Sequence, residues 1–148
     1  MRVLETAIYD LLKEDPFYAN FLLGCKVVYD AKGVERAAVA FRGGQICFLF
    51  NTQWYTSITR EERVAVLVHE VLHAVFDHIG NRAYGFTNQK ARNYAMDCAI
   101  NQFIRNLPKG CVTLDSMSEL VKKKLSPFET YEYYYHQLKQ AVEGNKLS

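Results

Sequence analysis

Residues 64–79 form a mostly apolar stretch with two histidines, His69 and His73, and two carboxylates, Glu70 and Asp77, set into one side of it. This stretch limits the folds open to the chain. Thr59 is placed to cap a helix, and Glu62, three residues on, completes a capping box. The pattern predicts a helix running from there to about Ile79, with Gly80 as its stop. Taking His69 as the origin of the helical wheel, His73 falls at about 40°, Asp77 at about 80° and Glu70 at about 100°. Val64, Leu67, Val68, Val71, Leu72, Ala74, Val75, Phe76 and Ile79 cover the arc from about 140° to about 340°. A helix apolar over so wide an arc must be covered on most sides. The chain is therefore expected to wrap around it and leave one polar stripe. Burying that stripe without partners costs several kcal/mol, and a metal ion offsets the cost.

The stripe spells His69-Glu70-Val71-Leu72-His73. Histidines at i and i+4 lie one turn apart on the same face, so both imidazoles reach a single zinc ion. Zinc lowers the pKa of a bound water to near 7, and Glu70 is placed to take its proton and pass it to a leaving amine. The chemistry this spacing implies is peptide hydrolysis. A catalytic zinc needs a third protein ligand. His78 lies five residues past His73, about 140° around the axis if the helix continues, and reads as a helix C-terminal residue. Asp97 is the better candidate. In the following helix Asn93, Asp97 and Asn101 form a polar row at i, i+4 and i+8 beside the apolar Met96, Ile100, Phe103 and Ile104. Asp97 is read as the third ligand, with Asn93 or Asn101 supporting it and Asp77 able to orient a ligand histidine. The alternative is that this row faces solvent or satisfies loop backbone. Tyr84 or a late tyrosine is a candidate oxyanion stabiliser.

The rest of the chain supplies the cover. Val3, Leu4, Ala7, Ile8, Leu11 and Leu12 give residues 2–14 a helical period that Asp15-Pro16 ends, and Phe17 to Leu23 is a second short helix. Strand signals follow at Cys25–Tyr29, Ala37–Phe41 and Gln45–Phe50, with Gly43-Gly44 as a hairpin turn. These predict a small antiparallel sheet. Further helices are expected at about 88–106, stopped by Pro108, at 116–124 and at 130–143. No Cys-x-x-Cys is present, so Cys25, Cys47, Cys98 and Cys111 read as small apolar residues rather than as a thiolate site.

Composition excludes other classes. At 148 residues and 49% hydrophobic, the chain is one domain's length and too apolar for disorder. Lys+Arg 18 against Asp+Glu 16 gives no basic excess that would announce nucleic acid. Lys122-Lys123-Lys124 reads as a solvated helix end, and the tyrosines of Tyr131-Glu132-Tyr133-Tyr134-Tyr135 as core. Arg2, Glu5, Asp10 and Lys13 interrupt the N-terminal apolar run, and no stretch is long enough to span a membrane. A cytoplasmic protein with no membrane partner is expected.

The chain resembles the putative metallopeptidase domain family, often found upstream of a von Willebrand factor A-like domain. The resemblance runs through Pro16-Phe17, Phe21-Leu22-Leu23, Phe48-Leu49-Phe50-Asn51, Ile58 to Glu62, Val66 to His73 with His78 and Arg82, Asn93 to Asn101, Leu107-Pro108-Lys109-Gly110, and Glu132 with Tyr135 and Leu138. The spacing from the histidine motif to Ala95-x-Asp97-x-x-x-Asn101 is its most specific part. Arg92 stands where the family usually carries tryptophan. The resemblance implies a zinc-dependent peptidase-like fold, with His69, His73 and Asp97 as ligands and Glu70 as general base.

The expected architecture is α+β. It is a single minimal zincin-like domain over residues 1–148, a small antiparallel sheet packed on the motif helix and on the ligand-bearing helix that follows. The expected function is a zinc-dependent hydrolase, a metallopeptidase with one Zn2+ ion and a peptide or protein substrate. A chain of this length is expected to offer a shallow site or one that a partner chain completes. The alternative is a non-catalytic zinc-binding domain acting as a protein-interaction module.

Overall fold

The computed structural model describes residues 2–76 and 86–145. It divides into two compact units, Met1–Gly80 with Arg105–Pro108, and Asn81–Ile104 with Lys109–Ser148.

In the first unit, α1 (Arg2–Glu14) buries Leu4, Ala7 and Leu11, the i, i+3, i+7 row of its apolar face. Pro16 occupies the first turn of α2 (Pro16–Leu23), where its missing N–H costs nothing. The strands β1 (Lys26–Tyr29), β2 (Ala37–Arg42) and β3 (Gln45–Phe50) form a sheet in the order β1-β3-β2. The hairpin between β2 and β3 turns on Gly43 and Gly44, with φ of 57° and 76°. A two-residue turn of this kind needs the left-handed region at both positions, which glycine enters at no steric cost.

The expected antiparallel sheet is corrected here. β2 pairs antiparallel with β3, but β1 pairs parallel with it, Lys26 opposite Cys47 and Tyr29 opposite Phe50. The reason is topological. The loop after Tyr29 carries the chain to the far edge, and the hairpin then returns β3 into the centre, running the same way as β1.

The sequence reading also lacks α3 (Thr52–Ser57), which Asn51 caps by accepting a hydrogen bond from the Trp54 N–H. α4 (Arg60–Val75) follows at once. Its capping box forms as expected, Glu62 N–H to Thr59 Oγ1 at 3.1 Å and Thr59 N–H to Glu62 Oε1 at 2.9 Å. α4 ends at Val75, where Phe76 N–H bonds back to Leu72 O. The expected continuation to Ile79 and the stop at Gly80 lie outside the described residues. α4 packs against α1, α2 and β2. Leu4, Leu11, Leu22, Phe48, Phe50, Tyr55, Leu67 and Val71 make the core of this unit.

The second unit is helical. Asn88 caps α5 (Gln89–Asn101), accepting from Ala91 N–H. α5 stops five residues before the expected Asn106, so Pro108 is not what ends it. The last turn tightens instead, with Phe103 N–H on Ile100 O and Ile104 N–H on Asn101 O. α6 (Leu114–Val121) starts two residues earlier than expected because Thr113 and Ser116 form a capping box. It ends at Val121, leaving Lys122, Lys123 and Lys124 exposed beyond it. α7 (Tyr131–Asn145) packs on α5 and α6. Tyr131, Tyr134 and Tyr135 are buried with Ala95, Cys98 and Leu138, so the tyrosine-rich segment is core, as expected. No helix among the described residues is long and apolar enough to cross a membrane.

Candidate metal centre

The C-terminal half of α4 brings His69, Glu70 and His73 together. The Nε2 atoms of His69 and His73 lie 3.1 Å apart, with the rings at 83° to each other and their centroids 4.6 Å apart. Each of the three side chains offers a ligand atom, all within 4.8 Å of one another. Both histidines are half-buried, and Glu70 is only 4% exposed.

These residues fit a divalent ion. Two nitrogens bonded to a tetrahedral zinc at about 2.0–2.1 Å stand about 3.3–3.4 Å apart. The observed spacing is a few tenths of an ångström shorter. An N–H of one imidazole donated to the lone pair of the other holds the rings at such a distance, and a metal displaces that proton and takes a lone pair from each nitrogen. A cation there also sets positive charge beside the buried Glu70 carboxylate, which lowers the cost of burying it.

Neighbouring elements fix α4 so that the motif faces one way. Arg60 grips Asp10 of α1 with two hydrogen bonds, Nε to Oδ2 at 2.7 Å and Nη2 to Oδ1 at 2.8 Å. The Arg60 guanidinium holds the Asp10 carboxyl below the usual carboxylate range. Tyr55 of α3 donates its hydroxyl to Arg63 O at 2.8 Å, and Arg63 returns Nε to Tyr55 O at 3.0 Å and Nη2 to Thr56 O at 2.8 Å. The Tyr55 ring is fully buried, and burial pushes its hydroxyl far above the ordinary phenol value. Tyr55 and Arg63 were not singled out from sequence. The available signal was Asn51, whose cap begins α3. Opposite the motif, Leu67 and Val71 sit in the core, and Val66, one turn before His69, is buried there too. The apolar cover is thinner than expected: Val75, at the helix end, is 40% exposed, and Val64, Val68 and Ala74 are half-buried.

Asp97 stands half-buried on α5, in the second unit. Its neighbour Cys98 is buried, which, with a smaller contribution from the Asp97 charge, pushes the thiol up to about 12 and keeps it protonated. Asn93 is exposed. Asn101 is buried and donates Nδ2 to Val112 O at 2.7 Å, so at least one residue of the polar row holds loop backbone. Asp77, His78, Arg82 and Tyr84 lie outside the described residues.

Comparison with known proteins adds to this geometry. The family model described as "Putative metallopeptidase domain" matches residues 2–147. An uncharacterized protein of Thermotoga maritima is 34% identical over 113 residues. The match covers 76% of this chain and 28% of that relative, so the chain spans less than a third of the relative's length. No solved structure matches the chain.

Proposed function

We propose, on the premise that this chain belongs to the putative metallopeptidase domain family, that it is a zinc-dependent hydrolase of peptide bonds. The observation that carries this reading is the 3.1 Å convergence of the His69 and His73 Nε2 atoms, with the buried Glu70 in the same group. A structural site needs the two imidazoles but has no use for Glu70 as a base.

In this reading His69 and His73 hold one zinc ion, and Asp97 supplies the third ligand. When bound, zinc polarises water and the scissile carbonyl and lowers the water's pKa to near 7. Glu70 takes the proton of the attacking water through a carboxylate oxygen. It then delivers that proton to the amine nitrogen as the C–N bond breaks. Burial keeps bulk water away from this carboxylate. The substrate is a peptide or protein segment, and residues 1–148 act as one functional domain, since a single family model covers both compact units. A partner chain completing the cleft belongs to the same proposal, as does a cytoplasmic location.

Two variants test it. Glu70→Gln keeps the shape of the side chain and removes the base. Turnover of a broad peptide library is expected to fall by about 100-fold or more, while zinc content stays at that of wild type. Asp97→Ala is expected to lower zinc stoichiometry, and unchanged stoichiometry would return the third-ligand role to His78. A wild type that binds zinc but cleaves no peptide would leave a non-catalytic zinc domain.

A further inference from the structure

The segment joining α6 to α7 carries two non-glycine residues in the left-handed region, Lys122 at φ 59° and Phe128 at φ 57°. Lys122 sits where a helix end favours glycine, with its N–H on Glu119 O and the Lys123 N–H on Ser118 O. Phe128 is held by its own N–H on Gln102 Oε1 at 2.8 Å. Gln102 is fixed in turn, donating Nε2 to Cys98 O and to the Tyr134 hydroxyl, each at 2.9 Å. That hydroxyl also accepts from Glu129 N–H at 3.2 Å and donates to Ser126 O at 2.6 Å. Ser126 N–H reaches the Tyr133 hydroxyl at 3.3 Å. Ser126, Phe128 and Glu129 are thus tied to α7 and to Gln102 at the end of α5.

What this scaffold displays is apolar. Phe128 is 67% exposed and Phe103 is 59% exposed, and their rings meet at 5.5 Å between centroids. A bulky side chain at positive φ is uncommon and costs backbone strain. Here the strained residue contributes nothing to the core, because its ring lies in water. Lys122, Lys123 and Lys124 are exposed a few residues upstream. Phe128 is four positions on from Lys124, so their Cα atoms lie within about 14 Å. Glu129 is the single acidic residue between Lys122 and Thr130.

We propose that the Phe103–Phe128 ledge with Lys122–Lys124 is a docking site for an acidic segment of a protein partner, which lays an apolar side chain on the two rings. The lysines complement the segment's carboxylates, and the paired rings offer the kind of fixed aromatic anchor on which interface energy concentrates. The fixed loop favours a fitted polypeptide over a bilayer. A loop already held in one shape lowers the ordering cost of fitting a single polypeptide segment.

The test pans a random dodecapeptide display library against the whole folded chain and measures the enriched peptides by fluorescence anisotropy. Two variants accompany the wild type. Phe128→Asn suits positive φ, so it keeps the loop and is expected to fold at least as stably. The pair Lys123→Glu with Lys124→Glu reverses charge outside the strained position. Enriched peptides are expected to carry Asp or Glu around an apolar residue and to bind more weakly as salt rises. Each variant is expected to weaken them by about tenfold or more, with the thermal midpoint preserved. The proposal is overturned if no acidic consensus emerges, or if binding survives both variants. It is equally overturned if the wild type instead binds vesicles of equimolar phosphatidylcholine and phosphatidylserine and both variants lose that binding.

Discussion

Tyr55 buries its whole ring and still places its hydroxyl on Arg63 O, so one side chain serves both the core and the start of α4. Arg63 closes the clamp from the other side with bonds to Tyr55 O and Thr56 O. Tyr55→Phe keeps the ring and removes the hydroxyl. Arg63 O then loses one partner within a well-formed helix, and the expected cost is about 1 kcal/mol. Urea unfolding should show a lower midpoint at an unchanged slope, with the zinc content of wild type. At this scale the site was partly legible from sequence. Glu70 and the two histidines declare themselves because helical spacing alone fixes their relation, and the structure converges them as expected. Tyr55 and Arg63 are hidden in the sequence because their partners are backbone carbonyls, which no residue pattern names.

Among the elements, α4 matters most, since its axis aims the motif. Its N-terminus is set by the Thr59–Glu62 capping box and by the Arg60 grip on Asp10. Thr59→Ala leaves the Glu62 N–H without its side-chain acceptor, for an expected loss of about 1 kcal/mol. Native-state hydrogen exchange should locate the loss in the first turn of α4, leaving the β2–β3 hairpin unaffected. Such capping signals were legible, as was the hairpin, because each is a local event within a few residues. Where pairing is distant the sequence says less. β1 is flanked by ordinary strand signals, and nothing in Lys26–Tyr29 declares that its partner is Cys47–Phe50 in parallel. α3 carries no periodic signal of its own because six residues are too few to show one. The sequence places the end of α5 too late because Pro108 is a conspicuous stop, whereas the tightened turn at Ile100–Ile104 has no sequence mark.

The molecule as a whole has two compact units under one family match. If His69 and His73 hold zinc, the folded state alone presents the site, and metal adds to its stability by mass action. At free zinc about 100 times the dissociation constant, that contribution is about 2.7 kcal/mol. Chelation should therefore lower the unfolding temperature of wild type, and a His69→Ala, His73→Ala double variant should not respond to chelator. The mixed sheet bears on how the chain reaches this state. β2 and β3 can close across Gly43-Gly44 with little loop entropy to overcome, but β1 must wait for a central strand 21 positions away in register. Folding is then ordered in time, hairpin first and the parallel edge later. Lesions in the turn should slow refolding, while lesions in Val27 or Val28 should chiefly hasten unfolding. A newly made chain passes through an interval with β3 unpaired along one side, and the arrival of β1 ends its exposure to other strands.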